Sequence, residues 1–276
     1  MKRLMKSLVR WDAQPALERS VRLYRAGHAL AVLLSPFGLP LPWLMRLAGT
    51  DKHRPDWPRG HRYGPAYAEA FRRFRWRRVR MVEIGIGGAA EDIGGRSLLA
   101  WRAYFPFATI LACDIRDRSA LATPRVEILR LDQGEGVALQ GLAAKGPFDI
   151  IVDDGSHLNA HQLLTFAALF DSLAEGGLYV VEDVQTSFWH RVVDGVDWGG
   201  AAFGQAAFST TCMGHFLALA AHLNYAEFLD PGDADPMLLP MARRIRCIAF
   251  EHNLIFVTKG RNEALSNTVG AGDGPR

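Results

Sequence analysis

From residue 81 to residue 258 the chain alternates short runs dense in Val, Ile and Leu with stretches whose apolar residues recur at helical spacing. Residues 81–84, 109–113, 126–131, 148–152 and 178–181 predict strands. Residues 97–104, 134–144 and 160–173 predict the helices between them. A strand that is apolar at nearly every position, not at every second one, must be covered on both faces. These runs therefore belong to a parallel sheet layered by helices. Strand–helix alternation with right-handed crossovers gives an open, doubly wound α/β fold. Late in the chain, residues 245–250 and 254–258 are separated by Glu251-His252-Asn253, which predicts an antiparallel hairpin closing the sheet.

The segment before the first strand is of another kind. Residues 29–49 form the most apolar stretch, but Pro36, Pro40 and Pro42 cut it into pieces too short to cross a membrane as one helix. Two packed helical pieces joined by a proline turn are expected, and residues 1–79 read as a helical N-terminal extension with a lid-like segment. The basic, amphipathic residues 1–25 keep peripheral membrane contact as a minor option. No small-residue cleavage site follows the basic N-terminus, so no signal peptide is expected. Cys113, Cys212 and Cys247 are too few and too scattered for a disulfide framework or a zinc pair, which predicts a cytoplasmic protein. Cys113 and Cys247 lie in apolar runs and are expected in the core. A net charge of +3 is too small for a nucleic-acid partner, despite the local cluster Arg72-Arg73-Phe74-Arg75-Trp76-Arg77-Arg78. Residues 80–260 are the expected catalytic domain, and residues 261–276, polar and rich in glycine, a flexible tail.

Open α/β sheets bind ligands beyond the carboxyl ends of their strands, so the residues just after each strand carry the functional signal. The first strand runs into Glu83-Ile84-Gly85-Ile86-Gly87-Gly88, and Gly94-Gly95-Arg96-Ser97 then opens a helix. Glycines there let the backbone approach a ligand closely. The spacing Gly85-x-Gly87-x-x-Ala90 fits a loose dinucleotide fingerprint, but no helix starts directly behind it, which argues against an NAD enzyme. Asp114 after the second strand can take the hydroxyls of a ribose, and Asp132-Gln133 after the third can face a base edge. Strand-end Asp also serves as a turn or helix cap. The fourth strand ends in Asp153-Asp154-Gly155-Ser156-His157 and the fifth in Glu182-Asp183. If Asp154, Glu182 and Asp183 converge, their mutual repulsion calls for a hard divalent cation such as Mg²⁺. The same acids also suit helix N-caps or plain solvation. His157 is placed to act as a general base near a cation-bound hydroxyl, and His161 reads as a support.

Together EIGIGG, GGRSLLAWRAYFP, ILACDIRDRS, DQGEG, FDIIVDDGSH and GGLYVVED resemble class I S-adenosylmethionine-dependent methyltransferases. More narrowly, they resemble the metal-dependent sugar O-methyltransferases of macrolide tailoring, the mycinamicin 2″-O-methyltransferase type. Gly49-Thr50-Asp51-Lys52 with His61, Tyr63 and Tyr67 resembles the segment that precedes the fold in that family. The resemblance implies a seven-stranded, mostly parallel Rossmann-like methyltransferase sheet, with S-adenosyl-L-methionine and Mg²⁺ as cofactors. It implies that Glu83, Gly85, Gly87, Asp114, Asp132 and Gln133 line the cofactor, with Asp153 on the same side. It implies that Asp154, Glu182 and Asp183 hold the metal and that His157 is the catalytic base. The implied partner is a small glycosylated substrate, in a chain expected to be a homo-oligomer. A catechol-like acceptor is the near alternative, and a non-catalytic nucleoside-binding protein the distant one.

Overall fold

All seven predicted strands form, in a sheet of order β3-β2-β1-β4-β5-β7-β6. The computed structural model describes residues 2–56, 60–87, 92–263 and 265–266, with side chains from residue 16 onward apart from that of Pro231. The chain divides into two compact units, Met1–Ala138 and Leu139–Arg276.

In the first unit, α1 (Lys2–Leu34) leads through a 3-10 turn (Ser35–Phe37) into α2 (Leu41–Ala48), the break falling in the proline-rich stretch as expected. Tyr24, His28 and Ala31 recur at helical spacing along α1 and are buried. Gly27, on the same helix, allows α1 to lie close on α4: a Cβ there would stand 2.9 Å from Leu99 Cδ1. α3 (Gly64–Phe71) precedes β1 (Arg80–Ile84), α4 (Arg96–Tyr104), β2 (Thr109–Asp114) and β3 (Val126–Arg130). The three strands are parallel, with Ile84 opposite Cys113 and Asp114 opposite Arg130. Tyr67 and Phe71 of α3 pack on Trp101 of α4, and Phe71 on Phe105. The helix α5 (Gly136–Ala143) follows.

The second unit holds β4 (Phe148–Asp153), α6 (Asn159–Leu169), β5 (Leu173–Glu182), α7 (Cys212–His222), α8 (Leu239–Ala242), β6 (Ile245–Glu251) and β7 (Leu254–Lys259). β4 and β5 are parallel, whereas β7 is antiparallel to β5 and to β6, so the predicted hairpin is present. Phe166 of α6 contacts Phe170, Tyr179 and Phe216 edge-on or tilted and forms the centre of this core.

Three expectations change. The helix expected over 160–173 ends at Leu169, because Phe170–Ser172 tightens into a 3-10 turn and Leu173 already begins β5. β5 is longer than its apolar run, since a register shift between Phe148 and Ile150 of β4 lets Glu175-Gly176-Gly177 bulge from the pairing and break the run. Cys247 is exposed, not core, because β6 is the edge strand and most of its residues face solvent. Cys113 is buried as expected. In the tail, Asn262 donates from its side chain to Leu223 O, and residues 264 and 267–276 lie outside the described residues. So do Gly88 and Ala90 of the glycine loop. Among the described residues no helix is long and apolar enough to cross a membrane.

Candidate active site

Within the first unit, the predicted nucleoside residues stand at the carboxyl ends of three neighbouring parallel strands. β1 turns out through Gly85 (φ 80°) and Gly87 (φ 67°), conformations natural to glycine. Gly85 N–H donates to Cys113 O at 2.8 Å and Ile86 N–H to Asp114 Oδ2 at 3.3 Å, so the loop leans on the end of β2. Asp114 also accepts from Arg116 N–H at 2.8 Å. Gly94 lies against the carbonyls of Ile86 and Gly87, where any Cβ would clash. Among the described residues, the next helix, α4, begins after Gly95. Asp132 is exposed and caps a tight turn by accepting from Gly134 N–H at 2.8 Å, while Gln133 is buried.

Glu83, expected to line the cofactor, is held in a buried polar cluster. It is completely buried, its Oε2 accepts from Ser97 Oγ and Trp101 Nε1, both at 3.0 Å, and its Oε1 lies 3.5 Å from Lys52 Nζ. Burial pushes its carboxyl up, and Lys52, Ser97 and Trp101 pull it back. Two positioning residues were missed from sequence. Lys52 was noted only as part of a motif, and its partner lies in a distant strand. Arg118, buried, donates to Gly87 O at 3.2 Å and Asp92 O at 3.1 Å, with its Nε 3.9 Å from Asp114 Oδ1. Its signal was its place four residues after Asp114 in DIRDRS.

Within the second unit, one oxygen each from Asp154 and Asp183 and one ring nitrogen of His157 lie within 4.8 Å of one another, all partly exposed. His157 Nε2 stands 3.6 Å from Asp183 Oδ2. Both residues adopt positive φ, 58° at His157 and 55° at Asp183, which turns them out of the regular chain path after β4 and β5. Thr186 Oγ1 donates to His157 O at 2.8 Å and ties these two turns together. Glu182 is buried at the end of β5, outside this trio, and its carbonyl accepts from Gln162 Nε2 at 2.9 Å. Asp153 is also buried and accepts from Gly155 N–H at 3.4 Å. The Tyr179 hydroxyl near it is pushed well above its ordinary pKa by burial and by that carboxylate. His161 Nδ1 pairs with Ser156 Oγ at 2.9 Å, a support for the turn.

A third missed residue is Asn159, the first residue of α6. Its Oδ1 accepts from Ser187 Oγ (2.8 Å) and Cys212 N–H (2.7 Å), and its Nδ2 donates to Trp198 O (2.8 Å). It thereby pins the segment after β5, where Trp189 packs on Trp198 and Phe188 on Phe208. Two carboxylates and an imidazole at this spacing can hold a divalent cation, or hold and release a proton beside one.

No family model matches the chain. It is 38% identical over 207 residues to mycinamicin VI 2″-O-methyltransferase of Micromonospora griseorubida, a match covering 74% of this chain and 49% of that protein. It is also 38% identical over 236 residues to 8-demethyl-8-alpha-L-rhamnosyl tetracenomycin-C 2′-O-methyltransferase of Streptomyces olivaceus, covering 84% and 58% respectively. The structure is similar to MycE, a methyltransferase of the mycinamycin biosynthetic pathway solved with Mg, SAH and mycinamycin VI. That match has a TM-score of 0.71 and 35% identity, over 82% of this chain and 55% of the other. The chain thus spans about half the length of the curated relatives it matches.

Proposed function

We propose that this chain, which over most of its length resembles the sugar O-methyltransferases of macrolide and tetracenomycin tailoring, transfers a methyl group from S-adenosylmethionine to a sugar hydroxyl of a glycosylated natural product. The observation that carries this reading is the Asp154–His157–Asp183 cluster at the ends of two parallel strands. The glycine loop backed by Asp114 supports it from the first unit.

S-adenosylmethionine would bring a methyl group already activated on a sulfonium, so the chain's own task is to bind, align and deprotonate the acceptor. Gly85 and Gly87 leave room for the donor's close approach, Asp114 accepts from ribose hydroxyls, and Asp132 and Gln133 meet the base. Asp154 and Asp183, with Glu182 directly before Asp183, would hold a Mg²⁺ ion. That donor set is rich in oxygen and suits a hard cation, which would supply Lewis acidity to a neighbouring hydroxyl. His157 is the poorer ligand for such an ion and the better base. It takes the acceptor's proton at Nε2, where the Asp183 carboxylate at 3.6 Å stabilises the imidazolium that results. Asn159 positions the aromatic segment after β5 as one wall for the acceptor.

Isothermal titration with S-adenosylhomocysteine and with NAD tests the donor: heat with the first alone is expected, and heat with NAD alone overturns the reading. Labelled S-adenosylmethionine with a panel of glycosylated acceptors tests the reaction. Activity should vanish in EDTA and return with Mg²⁺, and full turnover in EDTA would remove the cation from the mechanism.

A further inference from the structure

The turn between α1 and α2 carries an exposed apolar surface to which the proposed methyl transfer assigns no role. Val32, Leu33, Phe37, Trp43 and Leu47 are between 39% and 69% exposed there. Trp43 and Leu47, four residues apart, share one face of α2. Trp76, 54% exposed, belongs to the same patch: its ring stands 3.5 Å from where a Cβ on Gly38 would be, and Arg75 donates to Leu39 O at 2.5 Å. Trp76 lies within residues 72–78, which hold five arginines and no acid. Arg72, Arg73, Arg77 and Arg78 are exposed, with the guanidinium groups of Arg73 and Arg77 over the Phe74 ring. A cavity of about 220 Å³ opens between α1, α2 and α4, with Leu30, Leu34 and Leu47 on one side and Asp92, Gly94 and Arg96 at its polar end.

We propose that this face docks on an anionic lipid surface. Phe37, Trp43 and Trp76 would sit at the headgroup level, with Arg77 and Arg78 on the phosphates and the cavity open to an acyl chain. Aromatic rings beside arginines suit the boundary between headgroups and hydrocarbon. The charge argues against a second copy of the chain: a two-fold contact uses the same patch on both subunits and would set this arginine cluster beside its own image. The aliphatic members argue against single-stranded nucleic acid, since Val32, Leu33 and Leu47 offer no ring for a base to stack on. Apart from the cavity, which shares Gly94 with the glycine loop, the surface involves none of the residues assigned to methyl transfer.

The test is sedimentation of the full chain with vesicles of phosphatidylcholine alone or mixed with phosphatidylglycerol. Binding is expected only to the mixed vesicles, and high salt should release it. Arg77→Glu with Arg78→Glu should weaken partitioning at least about thirtyfold. Leu33→Glu with Phe37→Glu should abolish it while leaving the melting curve unchanged, because both side chains are already exposed. Brominated acyl chains should quench tryptophan emission, and less so after Trp43→Phe with Trp76→Phe. Failure to bind the mixed vesicles overturns the proposal. So does a dimer that Phe37→Glu dissociates in a chain that ignores vesicles, or binding that survives the Leu33/Phe37 pair.

Discussion

Replacing Lys52 by Met deletes one charge from a buried pair while keeping most of its volume. Lys52 Nζ faces Glu83 Oε1 at 3.5 Å, with side chains 2% and 0% exposed. The carboxylate would keep Ser97 and Trp101 as donors but lose its cation, in a place where an ion without its partner is strongly penalised. The protein can always escape by protonating Glu83, and this sets a ceiling on the loss. For a carboxyl of ordinary pKa about 4.3, neutralisation at about pH 7 costs about 3.7 kcal/mol, at about 1.36 kcal/mol per pH unit. Lys52→Met should therefore cost about 3–4 kcal/mol near neutrality, consistent with losses on breaking buried pairs. The pH dependence is the diagnostic part. In the variant the folded-state pKa of Glu83 lies above the unfolded one, so the deficit is absent below the unfolded pKa and grows as pH rises towards the folded pKa. It should shrink to about 1 kcal/mol by about pH 5. Urea denaturation between about pH 5 and 7, on Lys52→Met and on Lys52→Met with Glu83→Gln, measures both terms. The double variant should recover most of the loss at neutral pH. A pH-independent deficit, or a double variant no better than the single, would mean that Glu83 is neutral in the native protein and would refute the reasoning.

His157→Gln should lower turnover by on the order of 10²–10⁴ while S-adenosylhomocysteine binds as before; lost binding would assign the residue a structural role. Asp154→Asn and Asp183→Asn should each erase the rise in melting temperature that Mg²⁺ produces in the unmodified chain, as read by thermal melts with and without the ion. Gly94→Ala puts a Cβ into the carbonyls of Ile86 and Gly87 at φ 75°, so it should cost about 1–3 kcal/mol and weaken S-adenosylhomocysteine binding in titration. His28, His53 and His215 have pKa values lowered chiefly by burial. The unfolded chain therefore takes up protons first, and their contribution is intact above the unfolded value, about 6.5, and is lost as pH falls from there towards the folded values. Melting temperature should drop over that range, and His215→Phe should flatten the slope.

The strands were legible because a parallel sheet demands apolar residues on both faces, a pattern short enough to read locally. The first half of β5 was not, because Glu175-Gly176-Gly177 bulges from its pairing and breaks the pattern. Cys247 illustrates the opposite error: an apolar run on an edge strand looks like one in the centre until its neighbours are known. At the candidate site, strand-end acids were easy to find and their directions were not. Asp154 and Asp183 meet His157 through left-handed turns that no residue type demands. Glu83 faces inward because its partner, Lys52, arrives from a segment well upstream of its strand. Such pairings are long-range contacts, and one sequence carries no mark of them.

The left-handed turns at His157 and Asp183 also bear on how this chain would change under selection. Asp and His enter that region more readily than most side chains, but glycine does so without strain. Each position therefore has a substitute that relaxes the backbone and removes the chemistry. On the proposed roles, His157→Gly and Asp183→Gly should relieve the backbone, at some cost in chain entropy, while removing turnover, as melting curves and activity assays on the two variants would show. If melting point and turnover diverge along such a series, the roles proposed for these two residues predict that the divergence falls at these two turns.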